Sequence, residues 1–274
     1  MPASTPTFKT YPKWGVHTQA KEFFQNVRDN GGSLNSTEED LVADAVKNGV
    51  EHEWLKCMAW GLPLLGDSLN AFLTPIFVGA AKNPTHNMGF TDDDCDRTEG
   101  LTGDGTKSLY VGMTQKHICG NSINAFGAFV RTAVPDGDDK YILDASTYTA
   151  PVRRYFLRHR AASAERWTCA HSNDVMFYSA SNDIGLFIVN RTSRTNVDFV
   201  LNKTVIASDS TVINEPINDA SDIRLFSSQG GGSSKFVGTI GMFFLSYGFP
   251  NSTVRDAFFD DMKTLYDGIG RTGI

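Results

Sequence analysis

Apolar and polar positions alternate most regularly across residues 183–204. Ile184, Leu186 and Ile188 share one face of an extended chain, and Phe187 and Val189 share the other. Both faces are apolar, which predicts a central strand buried on both sides. A polar turn is expected from Asn190 to Asn196. Val197, Phe199 and Leu201 then alternate with Asp198 and Val200, the period of a second strand. Asn202-Lys203 is a tight turn, and Thr204-Val205-Ile206 begins the return. A hairpin of this kind is not stable alone, so it requires a second sheet over its apolar face.

Strand signals recur at 108–113, 123–132, 140–145, 152–159, 167–170, 175–179, 184–189, 197–201, 204–207, 223–227 and 235–247. Clusters of Gly, Pro, Asn and Asp separate them. Many short strands at this spacing, with almost no helix between, predict an antiparallel β-sandwich or jelly roll. The segment QGGGSS at 229–234 is expected to be a hairpin tip.

Helical spacing appears at both ends. Ala20, Phe23, Phe24 and Val27 form one apolar face that stops at Asn30-Gly31-Gly32. Ser36 and Glu39 fit a capping box, followed by the stripe Leu41, Val42, Ala45 and Val46. The two segments predict an αα-hairpin. Between 51 and 77 the pattern is mixed, with a strand expected at 54–60 and a short helix at 67–73, before Pro75. Asn251-Ser252 offers an N-cap to a final helix carrying Val254, Phe258, Met262, Leu265 and Ile269 inward. The expected organisation is an arm at 1–16, a helical hairpin and connecting segment at 17–80, the sandwich at 81–250 and a C-terminal helix at 251–274. The fold class is mainly β.

Composition changes this picture little. Hydrophobic residues are 41% and charged residues 20% of the chain, with mean hydropathy −0.24, as in an ordinary globular protein. The 25 glycines and 19 phenylalanines suit a sheet protein with many turns and an aromatic core. A net charge of −6 argues against a nucleic-acid binder, which would carry a basic footprint. No apolar run is long enough for membrane insertion. The opening MPASTPTFKTYPKWG has no apolar core, so no signal peptide is expected. Cys57, Cys95, Cys119 and Cys169 are scattered, which favours buried free thiols over a disulfide framework.

Four stretches resemble one group of proteins. They are the two helices around Gly31-Gly32 ending in Lys47-Asn48-Gly49, the run LTGDGTKSLYV from Leu101, the run GLFIVNRTSRTNVDFVLNKTV from Gly185, and a closing strand with Phe236, Gly238 and Ile240 before a helix. Together they resemble tailed-bacteriophage virion proteins with a concanavalin A-like, or laminin G-like, jelly-roll domain. The resemblance spans roughly residues 18–270. This chain departs from it at the Asn-Gly turn, which reads Asn202-Lys203 here, and lysine fits positive φ poorly. The resemblance implies a tail, fibre or head-appendage component located in the virion. It implies no catalysis, because the fold hosts lectins, glycosidases and inert spacers alike.

The candidate chemistry is sparse. His117 with Cys119, and Cys169 with His171, form a mirrored pair whose members two apart share a strand face. Four such ligands suit tetrahedral zinc, but the spacing matches no zinc signature, and the metal is disfavoured. Asp92, Asp93, Asp94, Asp96 and Glu99 form one acidic cluster. Asp136, Asp138 and Asp139 form a second, the candidate calcium loop. Solvated loop acid is the simpler account of both. Arg153, Arg154, Arg158, His159, Arg160 and Arg166 concentrate positive charge around Tyr155-Phe156, where a solvated strand face is the simpler account. Trp14, Trp54, Trp60, Trp167, Tyr110, Tyr148 and Tyr178 are candidates for stacking on sugar rings, with core packing the default for most. Asn35, Asn190, Asn202 and Asn251 each head an Asn-x-Ser/Thr sequon and read as turn residues.

No strand carries alternating acids for glycoside hydrolysis, and no nucleophile elbow, zinc-protease or phosphate-loop motif occurs. No catalytic residue and no required cofactor is assigned. The expectation is a non-enzymatic virion protein, homo-oligomeric, docked to other virion proteins by its N-terminal arm and facing outward to host surface glycan. Tyr148, Trp167 and Arg158 are the ligand-binding candidates. The alternatives are a soluble lectin-like module and, third, a polysaccharide-degrading glycosidase.

Overall fold

The computed structural model describes residues 15–76, 86–114, 124–133, 139–146, 154–160, 167–172, 174–178, 184–193, 195–210, 222–228 and 234–272. The expected arm, 1–16, falls almost wholly outside them. Among the described residues two antiparallel sheets face each other, and helices cover one of them.

Sheet A holds β1 (Met58–Leu62), β3 (Cys95–Asp96), β4 (Gly100–Asp104), β6 (Asn124–Ala133), β11 (Gly185–Ser193), β12 (Asn196–Leu201), β13 (Thr204–Asp209) and β15 (Val237–Ser246). Its order is β13-β12-β11-β6-β15-β4-β3. β1 pairs with β15 beyond the end of β4: Val237 to Ile240 bond to β4, and Phe243 to Ser246 bond to β1. β1 therefore belongs to the sandwich although it precedes residue 81. Sheet B is β10 (Asp174–Tyr178), β9 (Trp167–Ser172), β8 (Arg154–Arg160), β7 (Asp139–Asp144), β14 (Asp222–Leu225), β5 (Ser108–Thr114) and β2 (His86–Met88), in that order.

Alternation explains what lies between the sheets. Phe126, Phe187, Val189 and Phe199 project from sheet A, and Leu109, Tyr155, Leu157, Trp167, Ile223 and Leu225 project from sheet B. The opposite face of sheet A is also apolar: Phe129, Leu186, Ile188, Val200 and Phe244 pack under helices. These helices are α1 (Gly15–Asp29), α2 (Ser36–Glu51) and α4 (Ser252–Gly268); a one-turn helix, α3 (Leu69–Phe72), lies beside α1. The two apolar faces of β11 thus have separate covers, a sheet and a helix layer. The stripe on α4, with Val254, Phe258, Met262 and Leu265 buried, docks there as its periodicity requires.

Several local expectations shift. The capping box on α2 is Asn35 with Glu38, one residue earlier than Ser36 with Glu39. Asn35 accepts from the Glu38 amide at 2.9 Å, and the Glu38 carboxylate accepts from the Asn35 amide at 2.8 Å. Both registers fit the motif. The one adopted takes Glu38 out of solvent to accept from the Gly66 amide (3.2 Å) and pair with Arg97 (3.2 Å).

Asn190 and Arg191 stay in β11 and are not the start of a turn. Asn190 is buried because the Phe249 main chain satisfies both ends of its amide, at 3.0 and 3.3 Å. Asn202 takes φ 57° in the β12–β13 turn and Lys203 avoids positive φ, so the turn tolerates lysine. Residues 229–233 of the expected hairpin tip lie outside the described residues; the strands on either side do not pair with each other, since β14 lies in sheet B and β15 in sheet A. Gly105, at φ 85°, turns the chain from β4 in one sheet to β5 in the other.

The last turn is clamped by Arg271, which is fully buried. Its guanidinium donates to the carbonyls of Leu64 (2.5 Å), Gly241 (2.9 Å) and Arg97 (3.0 Å) and lies over Tyr266 at 5.4 Å. Burial pulls its pKa down to about 10. Among the described residues, no helix is long and apolar enough to cross a membrane.

Candidate functional site

With sheet A covered on both faces, the face left to the strands is the outer side of sheet B, where His86, Tyr110, Arg224 and Arg158 keep solvent-facing surface and Tyr141, Asp144 and Phe156 are buried. Its residues follow from alternation. Leu109, Val111 and Met113 of β5 point inward, so Tyr110 points out. Ile223 and Leu225 of β14 point inward, so Arg224 points out. Tyr155, Leu157 and His159 of β8 are inward, so Phe156 and Arg158 are outward. Strand pairing sets these side by side: His86 opposes Tyr110, Tyr110 opposes Arg224, Arg224 opposes Asp144, and Asp144 opposes Phe156.

Two units of similar construction result. In one, the Arg224 guanidinium lies 4.6 Å from the Tyr110 ring centre, and the His86 ring meets Tyr110 edge-on at 5.9 Å. Arg224 Nη1 donates to the Ser228 carbonyl at 3.2 Å, and its Nε has no partner. In the other, Arg158 lies 4.9 Å over Phe156 and 5.7 Å over Tyr141, and donates to the Tyr141 hydroxyl at 3.3 Å. Tyr141 and Phe156 form a small cluster of their own, separate from the core between the sheets. Each unit is a guanidinium over an aromatic ring, an arrangement worth about 0.5–2 kcal/mol according to exposure.

Of the residues expected to bind ligand, Arg158 is on this face and half-buried. Trp167 is not: it is fully buried between the sheets, stacked on Phe187 at 4.0 Å and beside His159 at 4.8 Å. Its position in β9 gives it the inward parity of Cys169. It is a core residue and has no surface to offer a sugar. Tyr148 lies outside the described residues. His159 also departs from the expected solvated basic face, since it takes the inward parity of β8. Trp54 and Trp60 are buried, and Tyr178 packs against the core. Tyr110 is the expected stacking candidate that reaches this face. Arg224, His86 and Tyr141 were missed. Arg224 was legible as the polar position between Ile223 and Leu225.

Asp136 and Asp138 lie outside the described residues, and only the main chain of Asp139, which opens β7, is described. His117 and Cys119 also lie outside. Cys169 is fully buried, its thiol pushed well above the usual range by burial; His171 shares its strand. Cys57, Cys95 and Cys169 are free thiols. Among the described residues, no group of three or more His, Cys, Asp or Glu is placed to hold a metal ion.

The acidic cluster at 92–99 is engaged in local structure. Asp92 accepts from the Leu69 amide (2.7 Å), and Asp94 accepts from the Thr91 amide (2.8 Å) and pairs with Lys107. Asp96 accepts from the Thr98 amide (2.8 Å), and Glu99 pairs with Arg131 (3.0 Å).

No protein-family model matches the sequence, and no curated protein matches it. Solved structures do match. A Trypanosoma rangeli sialidase in complex with sialic acid superposes with a TM-score of 0.53 at 12% identity, covering 81% of this chain and 38% of the sialidase. Domain 4 of an extracellular arabinanase from Geobacillus stearothermophilus, in complex with arabinotriose, gives 0.50 at 10% identity, covering 73% of this chain and 98% of that domain. The botulinum neurotoxin serotype D binding domain gives 0.51 at 10% identity, covering 74% of this chain and 50% of that one. The chain spans well under half the length of the sialidase and half that of the toxin domain. At such identities the likeness is one of fold, and the fold is a β-sandwich.

Proposed function

We propose that this chain is a non-enzymatic virion component whose sandwich binds surface glycan through the outer face of sheet B. The observation that carries the reading is the asymmetry of the two sheets. Sheet A is sealed on both sides by apolar packing, while the outer positions of sheet B leave His86, Tyr110, Arg224 and Arg158 with solvent-facing surface, beside the buried rings of Tyr141 and Phe156. Sugar recognition uses this chemistry, with ring faces for C–H surfaces and fixed donors for hydroxyls and acids. Two of the fold neighbours were solved with sialic acid and with arabinotriose. The virion setting rests on the sequence resemblance, and docking by the N-terminal arm and symmetric self-assembly belong to the same reading.

A soluble lectin would use the same face without assembly. A glycosidase would need two carboxyl groups set about 5–9.5 Å apart. Of the described acids on this face, Asp144 is wholly buried and Asp222 sits at the strand's end.

The test is a glycan array probed with the full chain and with Tyr110→Ala. Binding that the variant loses at an unchanged melting temperature supports the reading. No binding to any glycan, or binding indifferent to Tyr110→Ala, overturns it. Release of reducing sugar from a bound polysaccharide would replace it with the hydrolase reading.

A further inference from the structure

We propose that the saccharide bound by this face is anionic, and that Arg224 grips its carboxylate or sulfate; the inference rests on the reading above and names the ligand class. The argument begins with ion pairing. Four described arginines are matched to acids, Arg28 to Glu39 (3.3 Å), Arg97 to Glu38 (3.2 Å), Arg131 to Glu99 (3.0 Å) and Arg255 to Asp256 (2.8 Å), and the buried Arg271 spends its donors on main-chain carbonyls. Arg224 has no carboxylate within ion-pair distance among the described residues, in a chain with six more acids than bases. An acid stands directly opposite it, since Asp144 is its cross-strand neighbour. Asp144 instead turns its carboxylate to the Ser146 amide at 2.8 Å and is wholly buried.

The unmatched guanidinium is also held in place. Tyr110 lies against one of its faces at 4.6 Å, and the Ser228 carbonyl takes one of its protons. The fork is therefore oriented before any ligand arrives, so little side-chain entropy remains to be lost. Nε is buried, so the fork open to a ligand is the Nη end, whose remaining donors match the paired oxygens of a carboxylate or sulfate.

Tyr110 supplies the ring on which the attached sugar rests, with His86 at its edge. Arg158, on its own aromatic pair, lies across the sheet at a distance of ~12 Å between Cα atoms, estimated from two strand spacings and two residues of rise. The surrounding negative charge of the protein disfavours indiscriminate attraction of polyanions, so recognition falls to the local geometry.

The experiment uses the full chain on an array of neutral, carboxylated and sulfated glycans, followed by titration calorimetry on the best binder. Acidic glycans are expected to bind preferentially. Arg224→Gln should weaken them about tenfold or more, the scale of one charged hydrogen bond. Arg224→Lys, which keeps the stem and the charge but not the fork, should lie between wild type and Gln and provides the comparison if the glutamine variant folds poorly. Carboxyl-reduced and desulfated forms of the bound glycan identify the group held; if neither change weakens binding, the proposal fails. Binding of neutral glycans that depends on Tyr110 and ignores Arg224→Gln overturns the anionic ligand and leaves the face intact. Absence of all glycan binding overturns both.

Discussion

Replacing Phe258 by alanine tests whether the helix layer and sheet A share one core. Phe258 is fully buried on the inner stripe of α4. Its ring meets Phe244 of β15 at 5.0 Å, and Trp54 and Phe249 at 5.2 Å each. Removing it forfeits the burial of a phenyl group and leaves a cavity walled by three rings that are themselves fixed in place. Such a site collapses poorly, and Phe→Ala changes of this kind cost about 3–5 kcal/mol. With an m-value of about 3 kcal/mol/M, a loss of about 4 kcal/mol lowers the urea midpoint by about 1.3 M. The melting temperature should fall by roughly 10 °C for a chain of this size. Urea unfolding is followed by tryptophan fluorescence, since Trp54 lines the cavity, and by far-ultraviolet circular dichroism. Coincident transitions shifted together are expected. A midpoint within about 0.3 M of wild type, equivalent to less than about 1 kcal/mol, would show that α4 contributes nothing to the sheet's stability and would refute the account of sheet A as doubly covered.

Two further outcomes follow from the same packing. Asp261→Ala should destabilise by about 2–3 kcal/mol, because the buried carboxylate accepts from Trp54 Nε1 (2.6 Å), His52 Nδ1 (2.8 Å) and Asn48 Nδ2 (3.3 Å), and its loss strands the wholly buried Trp54 donor; thermal melts showing less than 0.5 kcal/mol, about half of the smallest such penalty, would contradict it. Acid should erode stability through exposed turn aspartates. Asp67, held low by the Ser33 hydroxyl, Asp96, held low by the Thr98 hydroxyl, and Asp104, held at about 2 by the Thr106 hydroxyl, all sit below the ordinary 3.8. Their contribution is present above pH 3.8 and lost as pH falls below it, for Asp104 on the way down to about 2. Removing the Thr106 hydroxyl with Thr106→Val should flatten part of that decline, and melting curves between pH 5 and 2, the span over which such carboxylates protonate, give the comparison.

Much of the architecture was legible in the one-dimensional pattern, because side-chain direction in a strand or helix is a local property. The alternation in β5, β8, β11, β12 and β14 and the stripes on α2 and α4 each name their buried face from neighbours a few residues away. The double apolar faces of β11 alone required two covering layers. Pairing partners were not legible. Nothing local to Met58–Leu62 says that it completes β15 beyond β4, and the two-residue β3 carries no pattern to detect. Gln229–Ser234 looks like a hairpin tip until its flanking strands are found in different sheets. The choice of Asn35 over Ser36 as cap depended on Gly66 and Arg97, distant in sequence but adjacent to Glu38 in space.

The candidate site divides along the same line. Its residue types follow from parity: Tyr110, Arg158 and Arg224 occupy outward positions that alternation alone assigns, and the same parity consigns Trp167 to the interior. Their grouping does not follow, because His86, Tyr110, Arg224 and Phe156 come from four strands separated by long stretches of chain. Strand order and register bring them into one row, and these are long-range choices set by how the whole core packs. The chain's own periodicity therefore decides which side chains point away from the core between the sheets, while only the assembled structure decides which of them keep solvent and which of them meet.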